Sequence, residues 1–70
     1  MKKYYLNNNQ QSNGDYEVHS EDCKYLPYEH NRTSLGMFYN CKDAVAEAKR
    51  LYPYRRINGC YYCCNPCHTS

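Results

Sequence analysis

Gly59-Cys60-Tyr61-Tyr62-Cys63-Cys64-Asn65-Pro66-Cys67-His68 carries four of the six cysteines of this chain, and a second sulfur and nitrogen pair, His19-x3-Cys23, stands far upstream. Zinc takes four nitrogen or sulfur ligands tetrahedrally, and a Cys-x2-Cys turn aims two sulfurs at one ion. Two ligands from an early segment and two from the tail therefore tie both ends of a small chain into one fold. The tail contains the spacing twice, as Cys60 with Cys63 and as Cys64 with Cys67. Neighbouring side chains at Cys63 and Cys64 diverge, so one pair coordinates and the other does not. Asn58-Gly59 offers a sharp backbone turn ahead of a knuckle and Pro66 follows where the chain leaves it, which favours Cys60 and Cys63. The expected metal set is His19, Cys23, Cys60 and Cys63. Cys64, Cys67 and His68 are alternates, and Cys64 and Cys67 read equally as buried side chains or as a disulfide. Cys41 reads as a small buried side chain, and His30 as a solvated loop residue.

Composition explains why a staple is needed. The chain has 70 residues, one Phe, no Trp and ten Tyr, and its hydrophobic fraction of 41% is largely Tyr, Ala and Cys. One domain over residues 1–70 is all that this length supports. A core this poor is usually completed by disulfides or by a structural metal. The N-terminus, Met1-Lys2-Lys3-Tyr4-Tyr5-Leu6-Asn7, is basic but turns polar where a secretory signal needs an apolar run. The expectation is cytoplasmic, with reduced thiols that bind metal, against the alternative of an extracellular disulfide-stapled mini-protein. No apolar run approaches the roughly 20 residues of a membrane-spanning helix.

Local patterns predict an α+β domain with an N-terminal β-hairpin, a short third strand, one amphipathic helix and the C-terminal knuckle. Lys3 to Leu6 is the first strand, and the polar stretch 7–14 is a flexible loop ending in Asn13-Gly14. In Tyr16-Glu17-Val18-His19 the alternation sends Tyr16 and Val18 to the core and Glu17 and His19 to the other face, so His19 need not be core. Residues 28–34 read as loop, and Leu35-Gly36-Met37-Phe38-Tyr39 as an edge strand or one paired with the hairpin, its glycine marking a bulge. The helix starts at an Asn40 N-cap with Asp43 in its first turn, carries Ala44, Val45, Ala48, Leu51 and Tyr52 as an apolar stripe, and ends at Pro53. Glu47 and Arg50 pair across its exposed face. Tyr16, Tyr39 and Tyr52 are expected to supply core volume.

A net charge of +2 does not by itself hold nucleic acid, but its distribution is uneven. Acids crowd His19, whereas Lys49, Arg50, Arg55 and Arg56 precede the cysteine tail. Guanidinium groups interleaved with Tyr54, Tyr61 and Tyr62 are a possible surface for stacked bases. A solvated face is the competing reading.

The order Val18-His19-x3-Cys23-x-Tyr25-Leu26, a strand, a helix with Asp43-Ala44 near its start, and then Gly59-Cys60-x2-Cys63 resembles the compact metal-binding modules related to the N-terminal zinc domain of the Ada DNA-repair protein. The resemblance covers residues 16–67 loosely. In that domain all four ligands are Cys, and the first thiolate accepts a methyl group from a DNA phosphotriester. His19 occupies that first position here, so the resemblance implies the zinc scaffold and argues against the methyl transfer. The expected function is a non-catalytic, monomeric structural-zinc module, not an enzyme, that binds a nucleic acid or protein partner. An Ada-like methyl acceptor is the alternative from the resemblance.

Overall fold

The computed structural model describes residues 1–68, so the last two residues of the expected domain lie outside the described part. Four strands form one sheet in the order β3-β1-β2-β4, with β1 Lys2–Asn7, β2 Asp15–Ser20, β3 Arg32–Phe38 and β4 Arg56–Gly59. A single helix, α1 Cys41–Leu51, joins β3 to β4. The hairpin pairs Tyr4 with Ser20, Tyr5 with His19 and Leu6 with Val18. β3 adds antiparallel to the outer edge of β1. β4 runs parallel to β2, pairing Tyr16 with Ile57 and Val18 with Gly59. Parallel neighbours need a long connection, and α1 supplies it by crossing the sheet from one edge to the other.

Two features of β3 follow from single residues. The pairing with β1 slips between Tyr4, opposite Gly36, and Tyr5, opposite Ser34, which leaves Leu35 as the extra residue of a bulge. Gly36 sits at φ +102°, a conformation that costs a residue with a Cβ but not glycine. The bulge turns Leu35 inward, to 6% exposure. β3 also starts three residues earlier than the sequence pattern predicts and ends before Tyr39. Its start is set by a 3₁₀ turn, Glu29–Asn31, and by pairing of Arg32 with Asn7.

The core lies between α1 and one face of the sheet. Tyr4, Leu6, Val18 and Leu35 meet Cys41, Ala44, Val45 and Ala48 there, joined by Cys60 and Cys64 from the tail. The buried stripe therefore begins one turn earlier than the expected Ala44–Tyr52 set, and Leu51 is 42% exposed. The tail explains the shift: Cys67 lies against Cys41 and covers the first turn of the helix. Tyr39, expected in the core, is 83% exposed because the strand has ended before it, and Tyr4 fills that role. The helix start is as expected: the Asn40 side chain accepts from the Asp43 N–H at 3.0 Å. So is the Glu47–Arg50 pair, a bidentate contact at 2.7 and 2.8 Å.

The polar stretch 7–14 departs from a plain loop. Asn7 belongs to β1, and hydrogen bonds from Gln11 N to Asp15 O, from Gln10 Nε2 to Gly14 O and from Asp15 N to Asn13 Oδ1 shape the connection to β2.

Candidate metal centre

His19, at the end of β2, and Cys60, just beyond β4, come together because the two strands run parallel and end side by side. The Cys60 N–H donates to Val18 O at 3.0 Å and extends that pairing by one residue. Cys23 follows in the turn after β2, and Cys63 reaches back from the tail. One ligand atom from each of the four residues lies within 4.8 Å of all the others. Cys23 Sγ is 3.6 Å from His19 Nδ1 and 3.9 Å from Cys60 Sγ, and Cys63 Sγ is 3.9 Å from His19 Nδ1. A tetrahedron with metal–sulfur bonds near 2.3 Å and metal–nitrogen bonds near 2.0 Å has edges of about 3.5–3.8 Å. The three separations above fall close to that figure and none of the others exceeds 4.8 Å, so the cluster could hold a metal ion.

Surrounding groups hold these side chains in place. Alternation puts Glu17 and His19 on the sheet face opposite Val18, as the sequence implies, yet both are buried, at 8% and 3% exposure. The tail and the turn after β2 cover this face locally, which sequence periodicity does not encode. Glu17 Oε1 stands 3.7 Å from His19 Nε2, beyond hydrogen-bond reach and on the side away from the cluster, where it acts on the ring by charge. Backbone amides serve the sulfurs. The Ser20 N–H reaches Cys63 Sγ at 3.4 Å, the amides of Tyr62 and Cys63 reach Cys60, and that of Tyr25 reaches Cys23. The sequence reading put Glu17 on the face of His19 without giving it a role at the site, and it missed these amide donors. The signal for Glu17 was available: it is two residues before His19 in a strand and so shares its face.

Proton affinities within the cluster are split. Hydrogen bonds from the Cys64 thiol and then from His19, Cys23 and the Ser20 amide pull Cys63 down to about 3, against the burial that raises it. Burial, then the Cys63 thiolate, pushes Cys23 up to about 12, and burial likewise raises Cys60. The surroundings thus favour the thiolate at Cys63 and the thiol at Cys23 and Cys60.

Gly59 has a different purpose from the turn expected of it. It is the last residue of β4, outside the positive-φ region, and a Cβ there would lie 2.7 Å from Cys64 O and 2.7 Å from Cys67 Cβ. Glycine lets the tail fold back onto β4. The other cysteines form a separate group. Cys41 Sγ is 3.5 Å from Cys67 Sγ, and Cys64, fully buried, interacts with both Cys63 and Cys41. All six are free thiols. His68 Nδ1 donates to Gly59 O at 2.9 Å, and its ring meets the edge of Tyr61. The alternates Cys64, Cys67 and His68 thus lie outside the four-residue cluster.

The basic residues named from sequence do not form one surface with the tail tyrosines. Arg55 is held between the rings of Tyr16 and Tyr52, at 4.5 and 4.2 Å from their centroids. Arg56 pairs with Asp15 at 3.2 Å and Arg50 with Glu47. Lys49, Arg55 and Arg56 line an open cleft of about 570 Å³ with Asp15 and Asn58, and Tyr54 is fully exposed. Tyr61 instead borders the metal cluster.

Comparison of the chain with protein-family models, curated proteins and solved structures gives no match. No helix among the described residues is long and apolar enough to cross a membrane.

Proposed function

We propose that this chain is a non-catalytic module fixed by one Zn²⁺ on His19, Cys23, Cys60 and Cys63, and that it acts by binding a partner. The carrying observation is the approach of four ligand atoms to within 4.8 Å in a set of three sulfurs and one nitrogen. Sulfur-rich tetrahedral sets suit zinc, and four protein ligands close the shell that a catalytic zinc keeps open for water. Three thiolates and Zn²⁺ give the centre a net charge of −1, offset by the excess of basic residues elsewhere.

Native mass spectrometry tests the metal. One Zn²⁺ per chain, with a lower thermal unfolding temperature on chelation, is the expected result. A chain that takes up no zinc, or that unfolds at the same temperature with and without it, overturns the proposal. Serine at Cys60 or Cys63 is expected to abolish stoichiometric binding, whereas serine at Cys64 or Cys67 retains it.

For the partner, the cleft of Lys49, Arg55 and Arg56 supports a nucleic acid, with the exposed Tyr54 ring nearby for stacking. Affinity for a single-stranded oligonucleotide should fall steeply with salt and weaken in Lys49→Gln. Salt-independent or absent binding turns the search to a protein partner. The methyl-acceptor alternative has less support, because an imidazole fills the position of the reactive thiolate in the Ada-like pattern.

A further inference from the structure

A groove of about 230 Å³ opens beside the metal cluster, and its lining is unlike that of the basic cleft. Glu17 and His19 form its floor, and the rings of Tyr25, Tyr61 and Tyr62 stand around it. Tyr61 and Tyr62 meet at 82° with centroids 5.2 Å apart, so they make two walls of a corner. Tyr25 lies against Tyr62, centroids 4.5 Å apart and planes 33° from parallel, and steadies that wall. All three residues remain about half exposed or more, at 48%, 55% and 67%.

We infer that this corner is a binding site for a methylated ammonium group. Two aromatic walls beside a carboxylate attract an organic cation: the rings present their negative faces, and the acid supplies charge. The structure contains an internal instance of the attraction, since the Lys24 ammonium stands 5.5 Å from the centroid of Tyr25. Methyl groups on the nitrogen lower its hydration and let it enter a tyrosine-walled corner. The negative floor has two contributions. Glu17 carries one in the chain as it stands, with the His19 ring as its neighbour at 3.7 Å. The other, the −1 charge of the zinc centre, rests on the metal assignment made above.

Choline is the first probe, and 3,3-dimethylbutan-1-ol, its neutral isostere, is the control. In NMR titrations of the zinc-loaded chain, choline should shift the ring signals of Tyr25, Tyr61 and Tyr62 and the amides around Glu17. The isostere should bind about tenfold more weakly, as a cation–ring attraction of roughly 1.4 kcal/mol requires. Tyr61→Leu and Tyr62→Leu change exposed rings and should abolish the choline shifts while native mass spectrometry still finds the metal. A peptide carrying trimethyllysine forms a parallel arm, and whichever cation binds more tightly identifies the source of the ammonium. Equal binding of choline and its isostere, or no shift with either cation on zinc-loaded protein, overturns the inference. Loss of zinc from the unaltered chain overturns the metal assignment instead, so the two failures are distinguishable.

Discussion

Glu17 and Gly59 flank the cluster without belonging to it, and each fixes a ligand by a different physical route. Glu17 is a buried acid 3.7 Å from the far nitrogen of His19, so its charge favours a proton on that nitrogen and leaves the other free for the metal. Removing such a partner typically lowers metal affinity by about 10–100-fold. Glu17→Gln keeps the shape and loses the charge, so its zinc affinity, measured by competition with a chromophoric chelator, should fall by about tenfold or more. An unchanged value would reduce Glu17 to a bystander. Gly59 acts through space. An added methyl meets backbone oxygen and a second Cβ at 2.7 Å, where neither can yield cheaply. Gly59→Ala should cost about 1–3 kcal/mol, the usual range for overpacking, and displace Cys60 and Cys63 together. Thermal unfolding of the zinc-loaded variant reads the first effect, and the chelator competition reads the second.

At the scale of elements, what the sequence disclosed is what neighbouring residues decide. The hairpin was legible because Tyr16-Glu17-Val18-His19 alternates, and α1 because Asn40, Asp43 and the alanines at 44 and 48 form a local start signal and a stripe. That cap makes a direct prediction. Asn40→Ala removes the acceptor of the Asp43 N–H and should lower stability by about 1 kcal/mol, visible in denaturant unfolding, with zinc stoichiometry unchanged. β4 was not legible. Arg56-Ile57-Asn58-Gly59 has no alternation to speak of, and its strand character comes from pairing with residues 15–18, some forty positions away. The same distance hid the burial of His19, since the covering chain arrives from the tail. The ligand spacing, by contrast, is a local record of chemistry, and for that reason the four residues that meet were readable before the strand that brings them together. Arg55 shows the converse. A basic run suggested an open surface, but two tyrosines from different elements hold the guanidinium between them.

For the molecule as a whole, metal and fold are linked through protons, and the sign of the linkage can be worked out. Each Cys ligand must give up its proton to bind zinc. In the folded, metal-free chain Cys63 has been pulled down to about 3 and has none to give, whereas Cys23, pushed up to about 12, and Cys60, also raised, keep theirs at neutral pH. Zinc binding to the folded chain should therefore release about two protons, and its affinity should rise by about two logarithmic units per pH unit between pH 7 and 8. The metal-free fold behaves oppositely where Cys23 and Cys60 dominate: a raised folded pKa stabilises below the ordinary thiol value of 9.0, and that contribution is lost as pH rises above it, towards about 12 for Cys23. Alkaline conditions thus strengthen the zinc-loaded protein relative to the metal-free one. Calorimetric titrations of zinc in buffers of different ionisation enthalpy count the protons directly. A count of three would mean that no thiolate waits in the cluster, and that the hydrogen bonds to Cys63 form only after the metal arrives.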